Sequence, residues 1–267
     1  MISRYVIYFS LMSVIGYVYE CLAMILWTGK WDNRGFLFGP AIPIYGGCSL
    51  AGTILFEHFY TDFTPLYVFL IGMFASAAVE YVVHYELEKI FHAYWWDYSK
   101  SPFNINGRIC LPASIGFGIA GLVVVYVINP AVLPVINELK ETTADLIALI
   151  CTIIFTADLT LTLSVLSSFI TSVENMDNYI NDHMDMLIGN FTNESKGIGK
   201  HFYSAVDKIE EKKKRLLDDR IERAANSMNV LYHGVLLKVK GFRGKHSVSK
   251  NAILRRIKEK IYRIKDE

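Results

Sequence analysis

Charge is scarce over the first two-thirds of this chain. Residues 1–170 hold seven basic side chains (Arg4, Lys30, Arg34, Lys89, Lys100, Arg108 and Lys140) and twelve acidic ones, a net of −5. Soluble domains average about 25% charged residues, so this scarcity excludes an ordinary water-facing fold there. Residues 171–267 hold twenty basic and fourteen acidic residues, a net of +6, which brings the total to +1. The near-neutral sum hides an apolar, slightly acidic segment (1–170) joined to a basic one (171–267). Cysteine is also sparse. Cys21, Cys48, Cys110 and Cys151 fall singly in apolar runs with no CxxC pair, which excludes a disulfide framework and reads as small buried side chains.

Nucleotide and catalytic motifs are missing as well. There is no GxxxxGK[ST], no GxGxxG opening a helix and no GxSxG, so any ATP hydrolysis must come from another chain. The HExxH zinc motif is absent. Glu80, His84 and Glu88 recur every four residues and share a helical face, but no second cluster supplies further ligands, so neither a metal nor another cofactor is expected. Nucleic acid is not an expected partner, given a modest net charge and no recognition motif. The first apolar run has no strongly basic lead-in and carries Glu20 late, so it reads as a retained span and not a signal peptide.

What is abundant is apolar length. Hydrophobic residues make up 52% of the chain and mean hydropathy is +0.30. The runs are Tyr5–Trp27, Pro43–Phe56, Leu66–Val83, Ile109–Ile128 and Leu146–Ile170. A bilayer core of about 30 Å takes roughly 20 apolar residues in a helix, and four runs meet that. The second falls short unless Phe36–Ile42 dips into the membrane as a broken or re-entrant lead-in, where Gly39, Pro40 and Pro43 interrupt a regular helix. The expected fold is an all-α polytopic membrane protein of about five transmembrane helices with a cytosolic helical tail. Lys and Arg concentrate between spans 1 and 2 and between spans 3 and 4, so the positive-inside rule puts the N-terminus outside and the C-terminus in the cytosol of a cell membrane.

Two polar stretches then share the cytosolic side: Asn33 to Gly46 (NRGFLFGPAIPIYG) and Trp95 to Arg108 (WWDYSKSPFNINGR). Glu20 and Glu80 fall in the same inner layer, while Asp158 lies midway along span 5. Ionisable groups at membrane depth usually face a bundle interior or a wet cavity. One reading is a polar cavity in which Arg34 and Arg108 meet an anionic solute, since a guanidinium bonds two oxygens at once. The other is that Glu20 and Glu80 neutralise those arginines and pin helices together. The candidate substrate-binding residues are Glu20, Asn33, Arg34, Tyr45, Glu80, Asp97, Tyr98, Asn104, Asn106 and Arg108. The paired Asn, Gly and Arg of 104–108 predict a shaped turn. No catalytic residue stands out.

In the basic segment, 200–231 shows an apolar helical stripe among dense charges. Residues 250–265 form a basic amphipathic helix with Ile253, Leu254, Ile257, Ile261 and Ile264 on one side. It suits anionic lipid, the preceding helix or a partner chain equally well.

The order of Tyr19-Glu20, NRGFLFGPAIPIYG, Glu80-Tyr81, LEKIF at 87–91 and WWDYSKSPFNINGRICL at 95–111 resembles the bacterial multi-pass family labelled type IV ABC-transporter permeases. The match runs over about residues 5–128. The resemblance implies an α-helical protein of the cell membrane, a transport role and a separate ATPase subunit as partner, and it leaves a homo-oligomer open. It marks Gly35, Gly39, Pro40, Gly46, Trp96 and Gly107 beside the candidate residues, with no assigned roles. Two other functions fit the residues alone: a membrane-embedded enzyme acting on a lipid-linked or amphipathic substrate, and a non-catalytic scaffold or sensor.

Overall fold

The computed structural model describes residues 1–29, 35–59, 64–194, 211, 215, 218, 219, 237–243 and 247–266. Asn33 and Arg34, and nearly all of the 200–231 stripe, lie outside the described residues. The chain divides into two compact units, Met1–Ile90 with Tyr94–Ser164, and Phe91–Ala93 with Val165–Glu267.

The first unit is built from apolar helices. α1 (Ile2–Thr28) ends where Gly29 adopts a left-handed φ of 70° and returns its N–H to the Ile25 carbonyl. α2 (Pro43–Phe59) is short, and α3 (Pro65–Phe91) continues two turns beyond its apolar run, through Glu86, Glu88 and Lys89. α4 (Leu111–Val123) passes through a widened π turn at Val124–Ile128 into α5 (Asn129–Glu138), and the three form one apolar rod. Pro130 has no N–H to return to Tyr126, and the widened turn sits immediately before it. α6 (Glu141–Glu194) has 54 residues and runs on into the second unit.

Four helical stretches are long and apolar enough to cross a bilayer: Ile2–Leu26, Pro65–Phe91, Leu111–Glu138 and Glu141–Tyr179. α2 is the exception, with an apolar stretch of only Pro43–Phe56. The fold is therefore all-α and polytopic, with four full-length spans and one short helix where five crossings were expected. Large apolar side chains stay exposed on α6 from Leu146 to Leu163, then become buried from Leu166 onward. That exposed stretch measures about 27 Å at 1.5 Å per residue, close to the thickness of a hydrocarbon core.

Burial in the first unit centres on Tyr8, Met12 and Ile136, with Leu50, Val124 and Leu133 packed around them. A polar knot is buried beside them. Tyr8 Oη donates to Asn129 Oδ1 at 2.6 Å and lies 3.0 Å from Thr53 Oγ1, while Asn129 Nδ2 donates to Thr53 at 3.0 Å. Each group bonds another, so the knot ties α1, α2 and α5 together and meets the main polar demand of three side chains in an apolar surrounding.

In the second unit the helix Ser247–Asp266 buries Ile253, Leu254, Ile257 and Ile261 completely. Lys250 pairs with Glu174 at 2.9 Å, and Asn251 bonds both backbone polar groups of Phe242. Phe242 in turn packs near Phe169. Packing onto preceding chain, and not onto a lipid surface, is how this helix uses its apolar face.

Candidate functional site

The irregular lead-in to α2 is held by a carboxylate. Asp158 Oδ1 accepts the N–H of Phe38 at 2.9 Å, and Oδ2 accepts the N–H of Gly39 at 2.8 Å. Thr162 Oγ1 donates to the same carboxylate at 3.2 Å. Non-helical backbone at membrane depth survives only where protein or water takes up its polar groups, and here one acid takes up two. A Cβ at Gly39 would stand 2.8 Å from Asp158 Oδ2, so a side chain there would push the carboxylate away from the two N–H groups it accepts. Ile42 N–H reaches across to the Ser13 carbonyl of α1 at 3.0 Å, which completes the anchoring of the segment.

The second motif folds back as a small hairpin. Asn104–Ile105 pairs antiparallel with Ile109–Cys110, and Arg108 N–H closes the turn on the Ile105 carbonyl at 3.0 Å. Both central residues, Asn106 (φ 54°) and Gly107 (φ 68°), are left-handed, as a type I′ turn demands. Asn104 shapes the interior of the loop, donating to the Ser101 carbonyl at 2.9 Å and accepting Gly107 N–H at 3.2 Å. Trp96 Nε1 donates to the Arg108 carbonyl, and Tyr98 N–H to that of Gly107, both at 2.9 Å. Asp97 is exposed and turns onto Ser99 N–H at 3.0 Å.

This anchoring aims Tyr98 inward. Its hydroxyl donates to Glu80 Oε1 at 3.1 Å, and on the facing helices Tyr45 Oη donates to Glu20 Oε1 at 2.6 Å. Burial, followed by the charges of Glu80 and Glu20, pushes the Tyr98 phenol far above its ordinary value, so it remains a donor at any physiological pH. Both carboxylates thus act electrostatically on one phenol, which places the two acid–tyrosine pairs within electrostatic reach of each other as one cluster. Glu80 is 6% exposed, and its second oxygen, Oε2, has no hydrogen-bond partner among the described residues.

Arg108 is spent elsewhere. Its Nη2 and Nε reach Glu88 Oε2 at 3.0 and 3.4 Å, and its Nη1 donates to Tyr81 Oη at 2.9 Å. The guanidinium also lies over the Tyr81 and Tyr85 rings, and Asn106 Nδ2 donates to Tyr81 at 3.1 Å. Burial lowers the affinity of this group for its proton, but the bonds to Glu88 and Tyr81 outweigh that, and its pKa is raised overall. Tyr81, Tyr85 and Glu88 were not among the residues singled out for this site. Their spacing of four and then three residues puts them on one face of α3, a signal present in the sequence. His84 is fully buried against Trp96, with ring centroids 5.0 Å apart in an edge-on arrangement. Among the described residues no three His, Cys, Asp or Glu side chains converge as a metal site.

The candidate residues therefore fall into three groups. Glu20, Tyr45, Glu80 and Tyr98 come together, Asn106 and Arg108 clamp the hairpin to α3, and Asn104 and Asp97 shape the loop. Replacing Arg108 by Lys should loosen that clamp, because one ammonium cannot bond both Glu88 and Tyr81 and also lie over two rings. The expected cost is about 1.5–3 kcal/mol of local stability, the range for hydrogen bonds to charged groups. Tryptic cleavage after Lys100 should then run at least tenfold faster in R108K, and an unchanged rate would remove the clamp from this account.

No curated protein and no solved structure matches the chain. The family described as "Putative ABC-transporter type IV" matches residues 7–163, the stretch that contains both motifs, the acid–tyrosine cluster and Asp158. Over that length, more than half of the sequence, the chain belongs to this ABC-transporter-type family of membrane proteins.

Proposed function

We propose that this protein is the membrane-spanning permease of an ABC-type transporter, and that the cluster of Glu20, Tyr45, Glu80 and Tyr98 is the polar station on its solute path. The observation that carries this reading is Glu80: a buried carboxylate with one oxygen bonded to Tyr98 and the other without a partner among the described residues. A buried acceptor left open is costly unless a ligand, a proton or water meets it. The short α2 counts as a fifth crossing, its broken lead-in completing the span, with the N-terminus outside and the 171–267 segment in the cytosol. The uneven placement of Lys and Arg supports that orientation. An anionic solute would need free arginines, and Arg108 is committed to Glu88. A solute presenting hydrogen-bond donors suits the open carboxylate better. Asn33 and Arg34 remain in the proposal on sequence grounds alone.

The test is purification from the source cell's membranes in mild detergent, with mass spectrometry of whatever stays bound. A stoichiometric ATPase subunit is expected. In proteoliposomes of that complex, Glu80→Gln should lower coupled ATP turnover at least tenfold with assembly intact. Purification without any ATPase would overturn the permease reading.

A further inference from the structure

The hairpin loop turns most of its aromatic side chains inward and leaves one out. Trp95 is buried with its ring 5.5 Å from that of Phe36, Trp96 bonds the Arg108 carbonyl, and Tyr98 reaches Glu80. These residue types ordinarily sit among lipid headgroups, and here the fold uses them internally. Phe103 does the opposite. It is 80% exposed, and its backbone is left-handed at φ 52°, outside the Asn106-Gly107 turn that requires such angles. A bulky residue held at that cost, yet exposed, points to something outside the fold. Ile105 is exposed too, on the other side of Asn104. Lys100 is exposed in the β-turn that Ser101 N–H closes on the Tyr98 carbonyl.

The level of the loop follows from the helices it joins. α3, with 27 residues, and the 28-residue rod from Leu111 to Glu138 measure about 40 and 42 Å at 1.5 Å per residue. A hydrocarbon core is about 30 Å thick and a whole bilayer about 40–45 Å, so both cross the core and end among headgroups. Their exposed apolar side chains persist to those ends, with Ile90 at the close of α3 and Leu111 at the start of α4. The pairing of Asn104 with Cys110 then sets Phe103 across from Leu111. The ring stands where α4 enters lipid.

We infer that residues 99–106 form a membrane-surface element, with the Phe103 ring, and Ile105 beside it, at the boundary between phospholipid headgroups and acyl chains. The register brings the ring to that boundary, and the long stem of Lys100 lets its ammonium reach a lipid phosphate. The inference needs only that α3 and α4 cross the bilayer and is independent of the permease reading. Its consequence lies in the site. Arg108 ties the hairpin to α3 on one side, lipid holds the loop on the other, and Tyr98 stays aimed at Glu80.

Phe103→p-benzoylphenylalanine, in the full-length chain in phosphatidylcholine–phosphatidylglycerol liposomes, reports what touches the ring. After irradiation and trypsin, the 101–108 peptide should carry the mass of a phospholipid. Its yield should come within about tenfold of that from Ile119→p-benzoylphenylalanine, an exposed position inside the α4 span. In native membranes, where protein partners are present, lipid should remain the captured species. Anchoring is tested apart from proximity. With the reporter moved to Ile105→p-benzoylphenylalanine, Phe103→Ser should lower the lipid adduct roughly fivefold or more, as expected when an apolar ring no longer leaves water. Should that variant fail to fold, the first reporter still decides. A reporter at 103 that captures no lipid while the one at 119 does would put the loop in water and overturn the inference. Capture of a protein at 103 in native membranes would overturn it in favour of a docking surface. An adduct at 105 indifferent to Phe103→Ser would remove the anchor.

Discussion

Asp158→Leu is expected to lower the melting temperature of the purified protein by roughly 5–15 °C, taking about 2–4 °C per kcal/mol for a chain of this size. The reason lies in the two backbone donors that Asp158 accepts, Phe38 N–H and Gly39 N–H. Leucine removes the acceptor and leaves both donors in an apolar surrounding, where an unmet group costs about 1–3 kcal/mol. Thr162 Oγ1, 3.3 Å from Phe38 N, recovers part of that loss, which sets the expected total at about 2–4 kcal/mol. Asp158→Asn keeps one amide oxygen and should lose about half as much. The pair of variants separates two roles for this acid. If Asp158 served the solute path by its charge, the Asn variant would melt normally and fail in transport. If it serves the broken segment, stability falls in the order Asp, Asn, Leu, and transport follows stability. A Leu variant melting within 2 °C of the parent would show that the 36–42 segment is held by something else.

That segment marks how far the sequence could be read. The interruption at Gly39, Pro40 and Pro43 was visible, and so was the physical demand that something satisfy the freed backbone. The partner was not visible, because Asp158 is 119 residues from Gly39 and nothing local in either stretch links them. The four long spans were legible for a simple reason. A run of some 20 apolar residues has no alternative to a helix in lipid, whatever surrounds it. The ends of the helices were less legible, since hydropathy stops reporting at the membrane surface. α3 runs on to Phe91 and α6 to Glu194 on charged residues that water tolerates as readily as a helix does.

The site shows the same division. Asn106-Gly107 announced a tight turn by composition, because few other residues adopt two successive left-handed conformations. The identity of the acid facing Arg108 was not encoded locally. Glu80 and Glu88 lie two helical turns apart on one face of α3, and only the hairpin's register assigns Glu88 to the arginine and Glu80 to Tyr98. The knot of Tyr8, Thr53 and Asn129 escaped for a related reason. A single tyrosine, threonine or asparagine in an apolar run is unremarkable until three helices bring them to one point.

Gly46→Ala and Gly47→Ala, one residue apart, should have opposite outcomes, and the contrast tests how α1 positions the site. A Cβ at Gly46 would run into Ser13 Oγ and stand 2.5 Å from the Phe9 carbonyl, a backbone atom that cannot rotate away. Across the same contact, a Cβ at Gly16 would overlap the root of the Tyr45 side chain, not its movable end. α1 and α2 therefore touch backbone to backbone, the approach that small residues permit between membrane helices. Overpacking such a contact costs about 1–3 kcal/mol and sometimes more, and relief here requires the two helices to separate. Separation would draw Tyr45 from Glu20, so Gly46→Ala should melt the protein early and also lower the coupled ATP turnover of whatever remains folded. At Gly47 a Cβ meets nothing within 4 Å. Alanine there should be neutral or stabilising by about 0.5–1 kcal/mol, as expected from helix propensity alone. Thermal melts of the two variants side by side, with the coupled ATP turnover of each, decide the matter. Equal behaviour of the two would mean that α1 and α2 are not in close contact and that Tyr45 is not held against Glu20 by their packing.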